Sequence, residues 1–469
     1  MQLPRPLLDS LVSVKGFNEE AFINVHESGE QVTSVRVNPF KSSMVNPSAN
    51  AQDQWSISSP SHHSPPDSYR DTIHEKIPWS EFGYYLESRP SFTFDPLFHA
   101  GCYYVQEASS MFLEEVLKQT VDLSKPLKVL DLCAAPGGKS THLLSLISND
   151  SLLVSNEIIK SRAAALNDNI VKWGYSNVLV TNNDPKDFQR LENYFDVIVV
   201  DAPCSGSGLF RRDPEAIEEW SLNNVALCCQ RQQRILADAL PALKPGGILI
   251  YSTCSYSKEE DEEICKWITR ELIFNNEELI IKPEWGIIKS DSSYRFWPDK
   301  VKGEGFFIAC FRKKDGDEAS RFHLKTKTEK FSKEESAILK STIKTDGLSF
   351  LRGEKAIHAF PETLLPGISY LQTKLRTVNF GIKLGEIIRD KLVPDHALAL
   401  SSIVSENVQS VELDFEEAIQ YLKKKELNIS TTKKGWSLVK YQDHPLGWIN
   451  ILPNRINNYY PKELRILKD

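Results

Sequence analysis

The 469-residue chain contains no Cys-x-x-Cys pair, so the spacing that holds a structural zinc is missing. Its first residues, MQLPRPLLDSLVSVKG, lack the apolar centre and the small-residue cleavage site of a signal peptide. Without a route to an oxidising compartment, the eight cysteines (Cys102, Cys133, Cys204, Cys228, Cys229, Cys254, Cys265 and Cys310) are expected to be mostly free thiols. No apolar run reaches the length of a membrane span. These absences predict a cytoplasmic protein without membrane or metal, monomeric by default. His62 and His63 are adjacent but have no further ligands nearby, which argues against a metal there. Positive charge is also short. The net charge of −7 excludes a simple nucleic-acid coat. Its distribution is uneven, however: Tyr421 to Asp469 carries ten Lys and Arg against four Asp and Glu, a local +6. That excess fits either a solvated helix face with a tail or a surface for an anionic partner.

Along the chain, SVRVNPFK alternates like a strand ending in a turn, and residues 1–84 are expected to form a small N-terminal α/β unit that binds RNA. Within it, residues 46–75 are rich in Ser, Pro and polar side chains, a composition expected to leave a disordered loop. Residues 85–315 alternate β-branched runs (LKVLDL, LLVSNE, NVLVTN, DVIVVD, GILIYST) with helical patterns such as KSTHLLSLI and KSRAAALNDNIVKWG. That alternation predicts an α/β domain built on a doubly wound, mostly parallel sheet. The strands are almost continuously apolar, as a sheet covered on both faces requires. Residues 316–375 are expected to be a connector with some helix, and 376–469 a small mixed domain.

LKVLDLCAAPGGKST is a strand, a tight glycine turn and a helix start. Gly137 and Gly138 let a ligand approach the backbone, and the helix that follows offers free amides and a positive dipole end. A P-loop would need glycine where Cys133 stands, and the dinucleotide pattern G-x-G-x-x-G is absent. An S-adenosylmethionine site remains. Glu157 ends the second strand about twenty residues after the glycines, where a carboxylate meets ribose hydroxyls in such sheets. Taken alone, Glu157 is equally an ordinary acid at a helix start.

Ligands of open α/β sheets bind beyond the carboxyl ends of the strands. Glu157, Asp184, Asp201, Cys204 and Cys254 fall there. A lone cysteine is usually a buried structural thiol; two from adjacent strand ends, one beside an aspartate, point to chemistry. Carbon 5 of cytosine is too weak a nucleophile to take a methyl group directly. A thiolate adding to carbon 6 converts the ring to an enamine and splits one hard step into two. Asp201 is placed to protonate or hydrogen-bond nitrogen 3, and the base must be unstacked to reach the pocket.

In HAGCYYVQEASSM, LDLCAAPGGKST, DVIVVDAPCSGSGLFRRDPE, LKPGGILIYSTCS and GEGFFIA, in that order over about 210 residues, the chain resembles the Nop/Sun (Fmu) family of RNA cytosine-5 methyltransferases. The resemblance implies a Rossmann-like class I methyltransferase sheet and S-adenosylmethionine as cofactor. It implies Cys254 as the nucleophile and Cys204 as the group that assists release. It also implies a cofactor site made by Cys133, Ala134, Ala135, Pro136, Gly137, Gly138, Lys139, Glu157, Asp184 and Asp201, with Lys139 also contacting Asp201. DNA cytosine methyltransferases use the Pro-Cys thiol instead, so the presence of both cysteine motifs favours RNA. The flanks resemble the bacterial subgroup that modifies small-subunit rRNA, and HPLGWINILPNRINNYYPKELR resembles its PUA-like RNA-binding tail. There Trp436, Trp448, Tyr459 and Tyr460 suit base stacking, or else the core of a small β domain. Arg211 and Arg212 suit phosphate contact or a salt-bridged helix start, and Gln106 and Glu107 suit the pocket or its scaffold. Asp299 departs from the family, where many relatives carry His.

The expected function is thus methylation of cytosine carbon 5 in small-subunit (16S) rRNA, with rRNA or the assembled small subunit as partner. A tRNA substrate and a catalytically silent assembly protein are the alternatives. Methylation of an exocyclic amine is disfavoured, because its Asn/Asp-Pro-Pro-aromatic motif is replaced by Asp201-Ala-Pro-Cys204.

Overall fold

The structure, a computed structural model, describes residues 3–42, 72–314 and 329–468. At its centre is a sheet with five parallel strands: β5 (Lys128–Asp131), β6 (Leu152–Asn156), β7 (Val178–Thr181), β8 (Phe195–Asp201) and β9 (Leu243–Thr253). They lie in the order β9-β8-β5-β6-β7. The chain moves outward from β5 in one direction and then returns to start β8 on its other side. That reversal opens a crevice beyond the carboxyl ends of β5 and β8.

Strand side chains alternate between faces, and here both faces are apolar. Val129, Leu153, Val178 and Val197 meet Leu143, Leu166, Ile170 and Trp173 of the helices Gly138–Leu146 and Lys160–Trp173. Leu130, Val154, Leu179 and Ile198 face the opposite layer, with Phe188, Ile235 and Leu236. Gly174, at φ 86, ends the second of these helices in the left-handed region. The helix Leu222–Ala239 starts at Ser221, whose side chain accepts from the Asn224 amide.

Antiparallel strands extend the sheet at both edges. β13 (Phe306–Lys313) pairs with β9, and β16 (Thr377–Phe380) pairs with β7. The second pairing puts Thr377–Phe380, from the segment expected as the small 376–469 domain, on the edge of the central sheet. Residues 315–328 lie outside the described residues, but Leu365–Lys374 is a helix whose Ile368 and Leu371 pack into the sheet's core. β14 (Leu348–Arg352) and β15 (Ile357–Pro361) share a four-stranded sheet with β17 (Ile382–Ile388) and β18 (Lys391–Pro394), so the expected boundary at 375/376 falls inside one structure. Charged composition had marked solvent exposure of one face, not a lack of packing on the other.

At the amino end, β1 (Thr33–Val37) sits between β3 (Gly83–Leu86) and β4 (Tyr103–Val105), with β2 (Ile73–Lys76) outside β3. The boundary expected at 84/85 therefore also falls inside a sheet. Of the polar stretch 46–75, residues 46–71 (with His62 and His63) lie outside the described residues, while Ile73 to Glu75 belong to β2, not to a loop. At the carboxyl end, β19 (Ser410–Glu412), β20 (Gly435–Tyr441), β21 (His444–Leu452) and β22 (Arg455–Asn458) form a separate small sheet. Among the described residues no helix is long and apolar enough to cross a membrane, and no group of three or more His, Cys, Asp or Glu is arranged to hold a metal ion.

Candidate active site at the carboxyl ends of the strands

β8 and β9 are parallel and in register, with Asp201 opposite Ser252. Their strands therefore end side by side, and the loops that follow must abut. This brings Cys204 Sγ to 3.2 Å from Cys254 Sγ. That is well beyond the roughly 2.05 Å of a disulfide, and both cysteines are free and partly exposed. The Cys254 sulfur beside it, followed by burial, holds the Cys204 thiol well above its ordinary pKa. Cys204 consequently keeps its proton at neutral pH and can donate it toward Cys254 Sγ.

The loops are held rigidly. The Gly208 amide donates to the Cys254 carbonyl at 2.8 Å, and a Cβ on Gly208 would lie 2.7 Å from that same oxygen and 2.5 Å from the Gly305 carbonyl. This close approach explains the glycine in Cys-Ser-Gly-Ser-Gly. Glu260, fully buried, accepts from the Ser205 amide (2.8 Å), the Ser205 hydroxyl (2.5 Å) and the Ser255 hydroxyl (2.6 Å). One carboxylate thus ties the residue after Cys204 to the residue after Cys254. Sequence reasoning missed Glu260, because SYSKEEDEE reads as an exposed acidic run; the only signal was that it follows a cysteine at a strand end. Asp261 likewise holds Thr253, accepting from its hydroxyl at 2.6 Å, and pairs with buried Arg295 at 3.0 Å.

Asp201 faces the same crevice. Its Oδ2 meets Lys139 Nζ at 2.7 Å and its Oδ1 accepts from Ser252 Oγ at 2.8 Å. The glycine loop lies alongside. Gly137 takes φ 115 to begin the helix Gly138–Leu146, a backbone region that favours glycine. Beneath it, Asp131 Oδ2 accepts from Ser140 Oγ at 2.7 Å, while the buried Oδ1 has no partner among the described residues. Burial raises the Asp131 carboxyl to about 7. Burial also pushes the Cys133 thiol up, so it is an inert member of the loop. Ala134 and Ala135 are buried and Pro136 is exposed.

Glu157, 3% exposed, stands at the end of β6, its Oε1 accepting from the Ile159 amide at 2.9 Å. Asp184, after β7, caps its own 3₁₀ turn by accepting from the Lys186 amide at 3.1 Å. The crevice therefore combines a helix amino terminus with carboxylates beyond the next two strands, over the unpartnered Asp131 Oδ1 buried beneath the loop. That donor and acceptor set fits a nucleoside carrying an amino acid.

Other candidates are scaffold. Gln106 accepts from fully buried Arg36 at 2.9 Å. Glu107 accepts from the amides of Ser109, Ser110 and Glu304. Arg211 is buried and donates to the carbonyls of Gly303 and Glu30, which leaves it unable to reach a phosphate; Arg212 is exposed. Asp299 pairs with Lys300 at 2.5 Å. Trp448 and Tyr460 are each 2% exposed and belong to the core, whereas Trp436 meets Tyr459 edge-on at the surface.

Three family models match the chain. "N-terminal domain of 16S rRNA methyltransferase RsmF" covers residues 3–108, "16S rRNA methyltransferase RsmB/F" covers 118–312 and "Methyltransferase RsmF PUA domain" covers 408–466. Ribosomal RNA small subunit methyltransferase F of Aeromonas salmonicida is 33% identical over 421 residues, 83% of this chain and 85% of that one. The protein of the same name from Vibrio parahaemolyticus is 29% identical over 492 residues, 98% of this chain and 97% of that one. Among solved structures, a methyltransferase homolog protein from Pyrococcus horikoshii is 27% identical with a TM-score of 0.50, over 66% of this chain and 100% of that one. NSun6 from the same organism shares the fold at 20% identity and a TM-score of 0.52, over 66% of this chain and 98% of that one.

Proposed function

This chain belongs to the RsmF family of 16S rRNA methyltransferases, and from that membership we propose that it methylates carbon 5 of a cytosine in small-subunit rRNA, using S-adenosylmethionine and a covalent adduct on Cys254. The observation that carries the finer chemistry is the pair of sulfurs 3.2 Å apart at the ends of adjacent parallel strands. One nucleophile needs one thiol; a second thiol at that distance has work to do in releasing the product.

Cys254 Sγ adds to carbon 6 of the flipped base, and the ring's electrons move to carbon 5. The thiol proton of Cys254 passes to nitrogen 3, at the edge of the ring received by Asp201, which Lys139 and Ser252 orient. The cofactor, when bound, supplies a methyl group on a positively charged sulfur. Cys133 through Lys139, with Glu157 and Asp184, would hold it against the crevice. After transfer, Cys204 Sγ takes the carbon-5 proton. The electrons of that bond restore the ring's double bond, and the carbon 6–sulfur bond breaks to free Cys254. Cys204 starts as a thiol and must first pass its proton to solvent, so release is the step most sensitive to its surroundings.

The PUA module at the carboxyl end is proposed to hold the RNA, and the cytoplasm, where small subunits assemble, is the expected compartment. The test is a denaturing gel of Cys204→Ala with S-adenosylmethionine and 16S rRNA. A slow band that vanishes in the Cys204→Ala, Cys254→Ala double variant is the expected result. Normal turnover by Cys254→Ala would refute the nucleophile. A band with tRNA and none with rRNA or isolated small subunits would move the substrate.

A further inference from the structure

A groove of about 540 Å³ runs beside the glycine loop, outside the two cysteines. It is lined by β4 and the turn before it, by the second half of the helix Lys160–Trp173 and by Lys468 near the carboxyl end, so three parts of the protein close it together. It shares Pro136 with the glycine loop and Arg212 with the loop that carries Cys204. Four lining residues are cations (Arg89, Lys172, Arg212 and Lys468), and no Asp or Glu lines it. In a chain of net charge −7 this is a local reversal of sign.

None of the four cations makes an ion pair within 4.0 Å among the described residues. Lys172 is desolvated enough that burial lowers its pKa to about 8. A desolvated cation without a contacting counter-ion gains most from an arriving anion. Two of the cations also sit over rings: the Arg89 guanidinium lies 5.2 Å from the Phe92 centroid, and Lys172 Nζ lies 4.5 Å from that of Phe98. Tyr104 adds an aromatic face near Gly138. Unpaired cations alternating with aromatic faces are the chemistry that tracks a sugar-phosphate backbone and stacks its bases.

We propose that this groove binds a single-stranded segment of rRNA next to the methylated nucleotide, with Arg89, Arg212 and Lys468 on phosphates and Phe92 and Tyr104 against bases. The proposal rests on the RNA methyltransferase function above. A single strand is favoured over a duplex as the occupant, because the aromatic faces can stack only on bases that are unpaired and unstacked. Lys468 ties the tail of the chain to the groove, so RNA there would bridge the catalytic and carboxyl-terminal parts directly.

The experiment measures binding of protein-free 16S rRNA to the full chain across a salt series, for wild type and for Arg89→Ala, Arg212→Ala. Both side chains are exposed, so the fold is expected to tolerate their loss. The double variant is expected to bind roughly tenfold or more weakly, with the slope of log affinity against log salt reduced by about 1.4, that is, two single-strand phosphate contacts. Its affinity for S-adenosylmethionine should stay within about twofold of wild type. Phe92→Ala should weaken binding while leaving the salt slope unchanged, since stacking releases no counter-ions. Wild-type affinity and slope in the double variant would overturn the groove. Normal binding to naked rRNA with lost binding to assembled small subunits would assign the groove to a protein and overturn it equally. Either failure leaves the cysteine chemistry intact, because the Cys204→Ala gel band reads that separately.

Discussion

Glu260 grips Ser205 twice, accepting from its backbone amide at 2.8 Å and from its hydroxyl at 2.5 Å. Ser205 follows Cys204, and the same carboxylate reaches Ser255, which follows Cys254. The distance between the two sulfurs is therefore set by a residue that touches neither. Glu260→Gln keeps the volume but turns one acceptor oxygen into a donor facing hydroxyls and an amide. Turnover is expected to fall by about tenfold or more, with a loss of about 1–3 kcal/mol in stability. The decisive readout is the split between adduct formation and release in single-turnover gels, which a purely structural loss would lower together. Unchanged turnover would show that the sulfur geometry does not depend on this carboxylate.

Gly208→Ala should act on Cys254 through space. Its new methyl would meet the Cys254 carbonyl at 2.7 Å and the Gly305 carbonyl at 2.5 Å, both backbone atoms that cannot turn aside. The expected result is a fall in kcat of about a hundredfold, since a misplacement of about 1 Å costs that much, with the affinity for S-adenosylmethionine within about twofold of wild type. An active variant with normal kcat would mean that the loop relaxes without moving Cys254.

Asp131 makes stability depend on pH in the unusual direction for an acid. Burial raises its carboxyl from the ordinary 3.8 to about 7. Between those values the unfolded chain gives up a proton that the folded chain keeps, so stability falls as pH rises from about 4 to about 7 and then levels. Asp131→Asn, whose carbonyl still accepts from Ser140, removes the effect. Urea unfolding of the cofactor-free proteins should show the variant gaining on wild type by on the order of 3–4 kcal/mol across that window. Parallel curves would mean that Asp131 is charged in the folded protein.

The tryptophans of the carboxyl-terminal sheet should separate cleanly. Trp448→Ala empties a core position whose indole donates to the Asp395 carbonyl at 2.9 Å, and should cost about 3–5 kcal/mol in a thermal or denaturant melt. Trp436→Ala, half-buried against the edge of that core and beside exposed Tyr459, should cost clearly less in the melt and weaken RNA binding by about 1–3 kcal/mol. Equal melts for the two variants would contradict the burial difference.

Much of this was written along the chain. The five parallel strands are short apolar runs that only a doubly covered sheet can bury. Parallel strands carry their loops to one end, so Glu157, Asp184, Asp201, Cys204 and Cys254 were bound to gather there. The glycine pair and the missing P-loop glycine at Cys133 pointed to S-adenosylmethionine, and the two cysteine motifs carried the resemblance on which the proposed chemistry rests. The tertiary structure decided whatever depends on contacts between distant segments. It set the separation of the two sulfurs, and it made Glu260 a bracket and Arg211 a buried strut where both read as surface charges. It placed Thr377–Phe380 on the edge of the central sheet and closed a basic groove from three parts of the chain. Periodicity reports which side of a segment is covered, and spacing reports local geometry; neither carries the identity of the partner across a fold.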